Sequence, residues 1–172
     1  MPANDPEWRE AFAKIGELVL LASALDHQLN HVAIEVLHLE KSPMLEPLVA
    51  TLDPSRKVEI LKARSKHIAQ KDWRKHIESY LDKVERVLKV RNIACHSPLV
   101  KNERGFEFAP PAATKLLKSL DLTQPSRYKR ASLQQVEDAI SLAEDALGDG
   151  GNILHNFAKL TTELKTRAAA KQ

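Results

Sequence analysis

The sequence predicts an all-α fold: an antiparallel helical bundle with a short irregular or β-hairpin excursion after the third long helix. Three observations predict it. Ala, Leu, Lys and Glu are abundant, while only 5 glycines and 5% aromatic residues are present. Apolar residues recur at helical 3-4 spacing along the longest stretches. Helix punctuation, Asp5-Pro6, Asp53-Pro54 and Ser97-Pro98, falls at the ends of those stretches. At 172 residues the chain is expected to be one domain, residues 1–172, with the excursion at about residues 97–130 and fraying after about residue 167.

The first helix is expected to run from Pro6 to about Leu39, capped by Asn4 or Asp5. Its core face holds Trp8, Phe12, Ile15, Leu18, Ala22, Leu25, Leu29, Val32 and Val36. Asp26 lies about 60° from the centre of that face, and Asn30 follows one turn later on the same flank. His27, His31 and His38 fall on the polar face. The first two have the i, i+4 spacing of metal ligands, but no third ligand pattern accompanies them, so a solvated face is the better reading.

Ser42-Pro43 opens a short helix through about Thr51. Asp53-Pro54 opens a basic helix to about Ala69, with Val58, Leu61 and Ile68 inward. The next helix, Trp73 to His96, carries Trp73, Ile77, Tyr80, Leu81, Val84, Val87 and Leu88 on one face. Pro98 ends it. Leu99–Phe108 can form a hairpin around Gly105, Ala112–Leu120 a short helix, and Thr123–Arg130 a basic loop. Ser132 caps a last helix in which Leu133, Val136, Ile140, Ala143, Leu147, Leu154, Phe157, Thr161 and Leu164 keep phase. That phase passes through Gly148-Asp149-Gly150-Gly151 unbroken, which favours one helix, bent or weakened there, over a loop.

Charge is unevenly spread along the chain. Residues 1–53 carry a net −6, residues 54–91 +7, residues 92–130 +4 and residues 131–172 −2. A basic middle can track phosphates, although a solvated helix face accounts for any single lysine. One cysteine excludes an internal disulfide and fits a reducing, cytoplasmic setting. No apolar run is long enough to span a bilayer, and the acidic N-terminal stretch does not read as a signal peptide. Phosphate-binding loop, dinucleotide, nucleophile-elbow and zinc-finger patterns are absent from the sequence, so no cofactor or metal is expected.

The candidate site is Arg91-Asn92-Ile93-Ala94-Cys95-His96. The helical wheel puts Arg91 within about 20° of the centre of the apolar face, and a guanidinium there needs an anion or an opening. Asp26 is placed to supply that anion from the first helix.

Arg91-x4-His96 at the end of an amphipathic helix resembles the R-x(4–6)-H motif of HEPN domains, and the loose resemblance covers roughly residues 6–165. Cys95 stands where many relatives have Ala. The resemblance implies a helical domain and a metal-independent endoribonuclease, often the toxin of a toxin–antitoxin pair or phage-defence system. It also implies a symmetric homodimer that joins two motifs, and an antitoxin protein as a partner. In chemical terms, neutral His96 suits a general base for the RNA 2′-hydroxyl. Arg91 suits stabilisation of the phosphorane. Asn92 would orient His96 or bind substrate, with Asp26 and Asn30 in support. The alternative is a non-catalytic HEPN-like module binding RNA, a nucleotide or a protein.

Overall fold

The computed structural model describes residues 5–39, 42, 44–103, 105–109 and 131–169. The described residues form α1 (Pro6–Val36), α2 (Leu45–Thr51), α3 (Pro54–Ser65), α4 (Lys71–His96), β1 (Leu99–Asn102), β2 (Gly105–Phe108) and α5 (Leu133–Ala169). The expected short helix at 112–120 and the basic loop at 123–130 lie outside them. No described helix is long and apolar enough to cross a membrane.

α1 starts where its cap dictates. The Asp5 carboxylate accepts from the Glu7 N–H at 3.0 Å, and Pro6 occupies the first turn, where its missing N–H costs nothing. It ends at Val36, a turn before the expected Leu39. The stop is a Schellman closure: Leu39 N–H donates to Ile34 C=O, and His38 N–H to Glu35 C=O. His38 takes a left-handed φ of 56°, a conformation usually left to glycine. α3 is capped in the same way as α1, by Asp53 on the Ser55 N–H, and stops at Ser65, short of the expected Ala69.

The core lies where α1, α4 and α5 meet, closed on one side by α3. Leu18, Leu25, Leu29 and Val32 of α1 and Ile77, Tyr80, Leu81, Val84 and Val87 of α4 are buried in one cluster with Val58 and Leu61. Each such aliphatic side chain contributes about 1.5–3 kcal/mol through burial. At the N-terminal end of α1, Trp8 meets Phe106 edge-on at 4.8 Å, which anchors the hairpin. Phe12, expected in the core, is 45% exposed. The hairpin itself forms as expected: Leu99 pairs with Phe108 and Asn102 with Gly105, whose φ of 106° suits glycine alone. Glu107 then bridges to Ser132, which returns the chain to α5.

α5 is one helix through its glycines, but its buried face is not centred as the periodicity suggests. The buried residues are Val136, Ala139, Ala143, Ala146, Gly150, Ile153 and Phe157, while Ile140, Leu147 and Leu154 are only half-buried. The centre is rotated by roughly 60° onto an Ala/Gly stripe. The reason is that α5 packs between two long helices: small residues meet them at the centre, and larger ones fill the flanks. Gly150 sits directly against Gln28 of α1. A side chain there would collide with the Gln28 amide, whose Nε2 donates to the Leu147 C=O at 2.8 Å.

Gly148 and Gly151 face open space. Gly148→Ala and Gly151→Ala are each expected to stabilise by about 0.5–1 kcal/mol, through helix propensity alone. Gly150→Ala must displace Gln28 and should gain nothing. Urea denaturation of the three variants checks the order; an equal gain at all three positions would contradict the packing.

Candidate functional site

α4 ends at His96 because Ser97 turns extended before Pro98. The Ser97 N–H still closes the last turn on Ile93 C=O at 3.0 Å. Arg91 is half-buried, Asn92 and His96 are exposed, and Ile93 and Ala94 pack against the core. Cys95 is exposed. Among the described residues, no hydrogen bond or ion pair engages the side chains of Arg91, Asn92 or His96. Asn92 lines a cleft of about 330 Å³ between α3 and α4, together with Ser55, Lys62 and Lys89.

The helix stays regular to its end, and this sets the motif's geometry. Five residues of α-helix separate Arg91 from His96 by about 140° around the axis and about 7.5 Å along it. Arg91 therefore follows the core face, whereas His96 points outward on another side.

The expected pairing of Asp26 with Arg91 is corrected. Asp26 Oδ1 accepts from Lys57 Nζ at 2.7 Å, and Lys57 is only 1% exposed. The level of the helices decides this. Asp26 is close enough to Tyr80 for its charge to act on the phenol, and Arg91 lies 11 residues, about 16 Å, further along α4. Lys57 went unnoticed in the sequence because it is one of several lysines and arginines on a basic helix. A signal was present: Lys57, Leu61 and Ser65 repeat every four residues on the inner face of α3, and all three are buried. Asn30, expected to support the motif, is half-buried beside this pair's flank of α1, and its Oδ1 has no partner among the described residues.

The basic block is partly neutralised. Arg56 pairs with Glu59, Lys62 with Asp82 and Glu85, and Lys83 with Asp145 and Asp149. The two carboxylates on Lys83 join α4 to α5 and hold its ammonium above the usual lysine range, chiefly through the Asp145 hydrogen bond. Arg64, Lys66, Lys71, Arg74, Lys75, Arg86, Lys89 and Arg91 carry no ion pair among the described residues. Arg86 and Lys89 border a groove of about 500 Å³ between α4 and α5, whose apolar wall includes Val90 and Ile93.

His27 and His31 stack edge-on with their Nε2 atoms 3.2 Å apart on the exposed face of α1. No group of three or more His, Cys, Asp or Glu side chains that could hold a metal occurs among the described residues. Comparison of the chain with protein-family models, curated proteins and solved structures finds no match.

Two outcomes follow from the buried groups. Asp26→Ala leaves Lys57 charged and nearly dry, and should cost about 2–3 kcal/mol, below the full buried-pair value because Asp26 is 35% exposed. Asp26→Leu combined with Lys57→Met should recover most of it; denaturation that shows simple additivity would refute the pairing.

Tyr80 is fully buried, and burial first, then the charge of Asp26, pushes its phenol well above the usual range. A folded-state pKa raised above the unfolded value of about 10 favours the native state fully below that pH. The contribution is lost as pH rises, at about 1.4 kcal/mol per pH unit. Tyr80→Phe should therefore flatten the loss of stability above about pH 10. Urea midpoints measured across the alkaline range test this.

Proposed function

We propose that this chain is a metal-independent endoribonuclease of the HEPN type, acting through Arg91 and His96. The observation that supports this reading best is that both side chains stand at one end of α4 without hydrogen-bond or ion-pair partners among the described residues. A half-buried guanidinium is matched to phosphate oxygens, and an exposed imidazole is open to a proton. In this reading His96 takes the proton of the RNA 2′-hydroxyl. The freed oxygen attacks the adjacent phosphorus, Arg91 stabilises the phosphorane, and the 5′-oxygen leaves with a proton from a second imidazole or water. The products are a 2′,3′-cyclic phosphate and a 5′-hydroxyl. Asn92 binds substrate from the α3–α4 cleft, while Asp26 acts with Lys57 as a structural pair. The roughly 140° between Arg91 and His96 is bridged by a two-fold dimer, in which Arg91 of one copy works with His96 of the other. The biological setting, a toxin held by an antitoxin protein or a phage-defence nuclease, rests on the resemblance of the motif alone.

The same angular separation favours a second reading, a non-catalytic HEPN-like module that binds RNA, a nucleotide or a protein through one residue at a time. The two readings part in one experiment. Single-stranded RNA with chelator present should be cleaved by the wild type and cut at least about 100-fold more slowly by His96→Ala. Arg91→Lys keeps the charge but loses the planar fork, and should fall by a similar factor with the fold intact. Equal cleavage by the wild type and His96→Ala would sink the nuclease reading. RNA bound but never cut would establish the module. Light scattering should report a dimer.

A further inference from the structure

We propose that a second site, at the opposite end of α4, takes a single nucleobase with N–H donors on its edge. A cavity of about 180 Å³ opens there between α4 and α5, distinct from the motif. Its walls are aromatic: Trp73 meets Phe157 edge-on, with ring centroids 5.0 Å apart, and both line the space. Its rim is polar, built from Gln70, Asp72, His76 and Asn156. None of these four side chains has a hydrogen bond or ion pair among the described residues. Flat apolar walls with free hydrogen-bonding groups at one edge suit a planar heterocycle. The volume lies below the roughly 300 Å³ at which drug-sized ligands fit, so one ring system enters and its sugar stays outside. The Asp72 carboxylate only accepts, which selects ring edges that donate. Lys71, Arg74 and Lys75, in the same first turns of α4, carry no ion pair among the described residues, and their positive charge favours a ligand that bears a phosphate.

Trp73 lies 18 residues, about 27 Å of helix axis, from Arg91, so one nucleotide cannot reach both places. The base comes either from a free nucleotide or from an RNA strand that continues toward the motif. The strand version rests on the nuclease reading; the base site itself does not.

The test uses the His96→Ala protein, in which RNA stays intact. The chain has two tryptophans, so nitrogen-15 spectra carry two indole signals, and Trp8→Phe assigns them. The probes are the four ribonucleoside 5′-monophosphates, ribose 5-phosphate and a short single-stranded RNA. At least one nucleotide should shift the Trp73 signal saturably while the Trp8 signal stays put, and ribose 5-phosphate should not. Asp72→Ala and Asn156→Ala, both at exposed positions, should each weaken binding about fivefold or more with unchanged circular dichroism. RNA binding more tightly than any nucleotide identifies a strand; a nucleotide that binds more tightly than RNA identifies a free ligand. The proposal is overturned if no nucleotide moves Trp73 at millimolar concentration, if ribose 5-phosphate moves it equally, or if both rim variants bind unchanged. Loss of cleavage in the nuclease assay with the Trp73 response intact would remove the nuclease reading and leave the base site standing.

Discussion

The fold depends on the close approach of α1 to α5, and that approach depends on small side chains. Ala139, Ala143, Ala146 and Gly150 line the contact face of α5, so α1 packs against small side chains instead of a layer of leucines. The leucines and isoleucines are displaced to the flanks, where Leu142 turns to one side and Leu147 and Leu154 to the other. α4 then fills the remaining side of α1 with its full row of apolar residues, and Lys83 ties it across to Asp145 and Asp149. The glycines that make α5 intrinsically weak are thus also what lets it pack, and only Gly150 is held to that role by a neighbour.

The same packing separates the polar features of the interior. Asp26 is committed to Lys57, in a pair that α3 brings to the middle of α1. Replacing that pair with apolar groups is often neutral in proteins, but breaking it leaves a nearly dry ammonium. Arg91, one helix over and several turns away, has no ion pair among the described residues. The proposed phosphate chemistry and the structural ion pair therefore use different residues. Disruption of one need not disable the other, which makes Arg91 and Asp26 separable by mutation.

Much of the helical organisation is legible in the sequence. The Asp5-Pro6 and Asp53-Pro54 starts, the Ser97-Pro98 stop and the hairpin at Gly105 are local events, set by caps, a fixed proline φ and a glycine-only conformation. Helix ends without such punctuation were misjudged. α1 stops at a histidine in a left-handed conformation, and α3 stops at Ser65 with no proline or glycine to announce it. At the candidate site, the exposed end of α4 and the inward phase of Arg91 were legible, but the partner of Asp26 was not. A helical wheel gives an angle around one axis and says nothing about the level at which two helices meet.

By itself, therefore, the sequence determined what is local or periodic: which stretches are helical, which faces are apolar, where chain breaks fall, and that Arg91 and His96 share the end of one helix. Tertiary structure alone decided the relations between helices. It centred α5 on its alanines because two helices flank it, paired Asp26 with Lys57 because they lie level, and exposed Cys95 and Phe12. It also brought Trp73 and Phe157, 84 residues apart, into one aromatic-walled cavity. The physical reason is that hydrogen bonds within a helix are satisfied by near neighbours, whereas side-chain burial and charge pairing depend on which surfaces the folded chain brings into contact.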